Sequence, residues 1–268
     1  MTVVATLPLR LFASARRATV PAVARRPSPL WAAPSLVVDA LSEPLVLWSL
    51  RADVLRQTVR LGLSALPVVA AGAAFTGAAA ALQSVYTISN PLLPRSTVGL
   101  AVTPAIVMEL ATIVTSFLLV GRLTARVASE VAAMRAGEQL DAIETMGLSA
   151  PVRVVAPRLL AGTLSFPLLY LVAAPLGVAA AAFMGSATGF LTISEFIEGA
   201  RRSSTPFDPV FGLIKSVVFG SVLAGVGCVY GYRAAPSSEG VGDAATDASV
   251  AATVLVLALD WALTLLLL

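Results

Sequence analysis

The sequence predicts an all-α integral membrane protein, with five transmembrane helices preceded by an N-terminal helix lying in the membrane interface. Three observations predict it. The 268 residues are 57% hydrophobic and only 12% charged, against about a quarter charged in a soluble domain of this size. The mean hydropathy is +0.89. Five stretches are also long and apolar enough to cross a hydrocarbon core about 30 Å thick, which takes roughly 20 residues of helix.

The elements follow in chain order. Residues 1–34 form a basic N-terminal arm, with Arg10, Arg16, Arg17, Arg25 and Arg26 and no acid within 1–26. That composition suits anionic headgroups; an organellar transit peptide is the alternative reading. Residues 35–57 read as an interfacial amphipathic helix, because Asp39, Glu43 and Pro44 interrupt the apolar run and Trp31 and Trp48 suit headgroup level. Residues 58–268 form the transmembrane domain. Its spans are placed at 61–86, at 98–121 around Glu109, near 159–184, at 209–232 around Lys215, and at 248–268 around Asp260, with loops at 185–208 and 233–247.

Arginine sets the orientation. Residues 1–60 hold eight Arg, and 122–158 holds Arg122, Arg126, Arg135, Arg153 and Arg158, whereas 87–97 holds only Arg95. The positive-inside rule then puts the N-terminus and 122–158 in the cytoplasm and the C-terminus outside.

Several chemistries are excluded. The chain has no His and a single Cys, Cys228, so His-based catalysis, His or Cys metal sites and an intrachain disulfide are ruled out. No Walker A motif is present, so ATP binding by this chain alone is not expected. Nothing in the sequence points to an enzyme, and no metal, cofactor or nucleic-acid partner is expected of this chain.

Small residues recur at four-residue spacing at Ala70, Ala74 and Ala78, at Gly177, Ala181, Gly185 and Gly189, and at Gly227 and Gly231. Such faces let helices approach closely in lipid, within one chain or between two. Glu109, Lys215 and Asp260 fall inside spans, where a charge at the bilayer centre costs roughly 3 kcal/mol. They are expected either to pair or to line a polar path, although Lys215 lies near enough to a span end to snorkel. Gln83 is a weaker polar candidate in the first span. Residues 138–147, EQLDAIETMG, set Glu138, Asp141 and Glu144 on one edge of a short helix and Leu140, Ile143 and Met146 on the other.

Several stretches carry a resemblance. VGRLTARVASEVAAMRAGEQLDAIETMGLSAPVRVVAPRLLAG (120–162), FTGAAAALQ (75–83), GLIKSVVFG (212–220), GYRAAPSSEGVG (231–242) and LALDWALTLLL (257–267) resemble, in order, the MlaE/YrbE-type permeases of MCE-associated lipid ABC transporters. The resemblance implies a permease dimer, two copies of a cytoplasmic ABC ATPase that supply ATP and Mg, and an MCE-domain protein on the outer face. The system would move lipid, a phospholipid first of all, between the bacterial inner membrane and the MCE tunnel and maintain outer-membrane lipid asymmetry. It also implies a cytoplasmic coupling helix near 126–148 that docks on the ATPase, with Glu138, Gln139, Asp141 and Glu144 as its coupling residues and with either edge able to face that partner. Glu109, Lys215 and Asp260 fall where the family carries charges inside the membrane and would line the substrate cavity or serve as intramembrane polar contacts, with Gln83 as a weaker candidate better suited to helix–helix hydrogen bonding. One departure is MELAT (108–112), where Met108 stands in place of the family's Arg. The alternatives are an ion- or proton-coupled secondary transporter, or a permease of the same family for another lipid such as a fatty acid or sterol.

Overall fold

The computed structural model describes residues 50–88 and 94–267. The basic arm and residues 35–49 of the expected interfacial helix lie outside the described residues. Residues 51–57 of that element form the first turns of the first long helix.

Seven helices are described: α1 Arg51–Thr87, α2 Thr97–Ala136, α3 Gln139–Thr145, α4 Pro151–Ala187, α5 Ile193–Ser203, α6 Phe207–Tyr232 and α7 Ser238–Leu267. Among the described residues there is no strand. Five helices (α1, α2, α4, α6 and α7) are long and apolar enough to cross a membrane, as the hydropathy predicts. Helices dominate because hydrocarbon offers no partner to a bare backbone amide, whereas a helix satisfies its own.

The spans outrun the expected limits, and the reason is physical. At about 1.5 Å per residue, the 40 residues of α2 reach about 60 Å, twice the hydrocarbon thickness. Hydropathy marks only the apolar middle of such a rod. The polar continuation, Ala125–Ala136, packs Val127, Ala128, Val131 and Ala132 inward against α6 and α7. Likewise 233–247 is mostly not a loop, because α7 begins at Ser238. The segment 185–208 is a turn followed by α5. Thr192 caps α5 by accepting the Glu195 N–H at 3.3 Å, while the Glu195 carboxylate accepts the Thr192 N–H at 2.6 Å. That reciprocal pair follows the T-x-x-E pattern, a legible start signal.

Backbones touch where side chains vanish. The buried stripe of α1 is Ala65, Val69, Ala73, Gly77 and Ala81. It lies one residue off the expected Ala70, Ala74 and Ala78, which are half-buried. Gly77 meets the backbone of Gly177 on α4, where a Cβ would collide. Gly177, Ala181 and Gly185 are buried as expected, whereas Gly189 lies beyond the helix in a turn at φ +70. Gly227 and Gly231 pack within the chain. A Cβ on them would meet the Thr124 carbonyl at 2.8 Å and the Ala128 carbonyl at 2.6 Å. Cys228 is fully buried among them.

Two turns of α2 are π-helical, Ala105–Leu110 after Pro104 and Val120–Thr124. In such turns a carbonyl is freed from regular pairing. The Tyr170 hydroxyl of α4 donates to the Val107 carbonyl at 2.9 Å, and the Thr124 hydroxyl donates to the Leu223 carbonyl of α6 at 3.0 Å.

Gly77→Val is expected to force α1 and α4 apart and to destabilise the protein by about 1–3 kcal/mol, the usual range for overpacking. Gly62→Val, with open space around it, serves as the control; equal melting shifts for both in detergent would refute this packing. The hydrogen bonds from Thr192, backbone first, hold the Glu195 carboxyl below its ordinary value of 4.5. The cap therefore contributes fully above pH 4.5 and is lost as the pH falls through the depressed value. Amide protection of Ile193–Ser203, corrected for intrinsic exchange, should drop in acid in the native chain and be low and flat with pH in Glu195→Ala.

Candidate functional site: a charged cluster inside the spans and a short acidic helix

The structure brings Glu109 of α2, Lys215 of α6 and Asp260 of α7 together. The Lys215 ammonium donates to Glu109 Oε2 at 2.6 Å, to Asp260 Oδ1 at 2.8 Å and to the Thr264 hydroxyl at 2.7 Å. Thr264 in turn donates to Glu109 Oε1 at 2.9 Å. The Phe211 ring lies 4.7 Å from the ammonium, within cation–π reach. Lys215 does not snorkel. Its side chain is 0% exposed, because two carboxylates offer it a nearer partner than the membrane surface does.

The cluster joins three helices distant in sequence. Glu109 lies within the first π turn of α2, and the bond from Tyr170 reaches the Val107 carbonyl of that same turn, two residues earlier. Thr264 follows Asp260 by four residues and so shares its helix face. That spacing was readable in LALDWALTLLL but was not singled out, because a lone Thr in an apolar helix more often bonds its own backbone. Here its single proton has two acceptors within reach, Glu109 Oε1 and the Asp260 carbonyl at 2.8 Å. Tyr170 had no sequence signal beyond its being a hydroxyl within a span.

The charge does not balance. Two carboxylates face one ammonium, and the ammonium is sealed in while Glu109 and Asp260 keep 29% and 14% side-chain exposure. The surface left open is thus the carboxylate side. Met108, where the resemblance leads one to expect Arg, precedes Glu109 in the chain and is half-buried. Gln83 lies exposed on α1, outside this cluster.

At the Arg-rich end, Gly137 ends α2 and Glu138 adopts a left-handed backbone at φ 55, which costs a non-glycine residue roughly 1–2 kcal/mol. The chain thereby turns into α3, so the expected helix near 126–148 is two pieces. Gly147, at φ 74, releases the chain again. Leu140 is buried and Ile143 is half-buried against the core, while Met146 is exposed. The inward edge is therefore apolar. Glu138, Gln139, Asp141 and Glu144 are all exposed. Glu144 also accepts the Tyr232 hydroxyl at 3.0 Å.

The sequence profile of the permease MlaE family matches residues 54–266. The chain belongs to the MlaE permease family. It is 31% identical to a probable ABC transporter permease protein of Rickettsia prowazekii, over 85% of this chain and 87% of that one. It is 30% identical to the intermembrane phospholipid transport system permease protein MlaE of Haemophilus influenzae, over 76% and 78%. It is also 30% identical to the chloroplastic protein TRIGALACTOSYLDIACYLGLYCEROL 1 of Arabidopsis thaliana, over 79% and 60%. The match runs through every span, so the cluster and α3 both belong to the shared permease body. This MlaE-family protein is a multi-pass ABC permease, in keeping with the expectation of a transport subunit in place of an enzyme.

Removing the cation should cost more than removing either acid. Lys215→Met strands two carboxylates and should destabilise the permease by about 3 kcal/mol, the low end for a broken buried pair because both acids are partly open. Glu109→Gln and Asp260→Asn should each lose less. Thermal unfolding in detergent distinguishes these, and equal losses in all three would overturn the account of the cluster.

Proposed function

We propose that this chain is the transmembrane subunit of an ATP-driven, MCE-type lipid transporter of the bacterial inner membrane. It would move lipid, a phospholipid first of all, between that membrane and an MCE-protein tunnel and so maintain outer-membrane lipid asymmetry. The observation that carries the reading is family membership together with a relative named for intermembrane phospholipid transport. ATP and Mg act in the partner ATPase, and the energy source is therefore a second protein in place of an ion gradient.

The geometry supports roles for each part. The Arg-rich end, with the N-terminus, faces the cytoplasm and the C-terminus faces the periplasm. There α3 sets its apolar edge against its own chain, so the acidic edge is the one free to meet the ATPase, and two copies of that ATPase serve two permeases. α7 presents Val250, Val254, Leu257, Trp261 and Leu265 outward, a face suited to lipid and to the second permease. The open carboxylates of Glu109 and Asp260 would meet the amine of a zwitterionic headgroup and not its phosphate. Residues 1–34 would act as a basic arm at the inner leaflet, and an interfacial role is proposed for 35–49 alone, since 51–57 belong to α1.

Met108 favours a second reading, a lipid other than a phospholipid. An arginine is suited to a phosphate, and this position has none. A relative named for a galactolipid carries the same family fold.

Affinity capture of the full chain from native membranes should bring down an ABC ATPase and an MCE-domain protein. Mass spectrometry of the bound lipid then separates phospholipid from the alternatives. Glu138→Lys with Asp141→Lys should cut ATPase recovery by about tenfold or more, since like charges facing each other cost several kcal/mol. Undiminished recovery would remove α3 from the ATPase interface.

A further inference from the structure

We infer that Tyr232 is a positioning residue that passes movement of α3 to α6 and hence to Lys215. The inference rests on the functional reading above, in which α3 meets the ATPase, and adds the contact through which that meeting reaches the membrane.

Helix α3 is built as a separable unit. It has seven residues, and it is bounded by left-handed backbone at Glu138 and Gly147. One side chain, Leu140, is buried. One polar tie from it to a spanning helix is the bond from the Tyr232 hydroxyl to Glu144. Tyr232 is the last residue of α6, and Arg135, at the end of α2, donates to its carbonyl. The foot of α6 is thus clasped twice, by α2 through its backbone and by α3 through its side chain.

The other end of that lever is the charged cluster. Lys215 lies 17 residues before Tyr232 on the same helix, about 26 Å along its axis. The α-helix runs unbroken between them, with neither proline nor π turn, so a displacement of its foot is carried along its axis toward Lys215. Glu109 and Asp260 stand on two other helices. A shift or rotation of α6 therefore changes both Lys215 bonds at once and opens or seals the carboxylates that face the lipid. On this basis Glu144 divides from the rest of the acidic edge. Glu138 and Asp141 select the partner, while Glu144 grips Tyr232.

Tyr232→Phe removes the hydroxyl and keeps the ring. In the complete complex, captured from native membranes and reconstituted in vesicles of the host's own lipids, the variant should assemble with the ATPase at native yield. Lipid transferred per ATP hydrolysed should fall by about fivefold or more, the scale of an allosteric coupling. Adding Tyr232→Phe to Glu144→Ala should lower that ratio no further than Glu144→Ala alone, since both remove one contact. A merely structural tyrosine would instead lower yield, hydrolysis and transfer in proportion. Proportionate loss, an unchanged ratio, or additive loss in the double variant would overturn the inference while leaving the functional reading intact. Absence of an ATPase from the native preparation would overturn both.

Discussion

An ammonium with no exposure, set within a membrane-spanning helix, is the constraint from which the arrangement of this permease follows. Hydrocarbon cannot solvate Lys215, and a single carboxylate would leave some of its three protons unmet. Glu109, Asp260 and Thr264 meet them from two other helices. Helices α2, α6 and α7 are therefore held side by side at one depth. Around that fixed point, α4 closes on α1 and α6 through residues too small to keep the backbones apart.

Much of the fold was legible because hydropathy counts apolar length and a bilayer imposes it. The five spans, their order and the small-residue faces of α4 and α6 followed directly. The face of α1 was off by one residue, since in a run as rich in alanine as 70–81 neighbouring stripes look alike. The polar ends of α2 and α7 were hidden for a different reason. Once a helix leaves hydrocarbon its own neighbours sustain it, and Ala128, Val131 and Ala132 form too sparse a pattern to stand out beside a span. The capped helix α5 was visible only through the Thr192–Glu195 pair.

The candidate site was half legible. Each intramembrane charge could be named as costly, but its partner could not, because pairing is decided by which helices adjoin and not by spacing in sequence. Hence Lys215 could be read as snorkelling, and Thr264 and Tyr170 passed unmarked. For EQLDAIETMG the two edges were plain, whereas their directions depended on the backbone reversal at Glu138, a conformation that no side-chain pattern announces.

The π turns of α2 carry a consequence for how such a chain can evolve. Each holds one residue more than an α-helix of the same rise would. Loss of one residue within Ala105–Leu110 would restore regular pairing and leave the helix beyond it close to its present phase. Loss of a residue from a regular turn of α2 has no such slack and would rotate everything beyond it by about 100°. The stripe of Val127, Ala128 and Val131 that fits α6 and α7 would then swing away. The π turns are thus the places in α2 where length can change by one residue, whereas in its regular turns length is bound more tightly than composition.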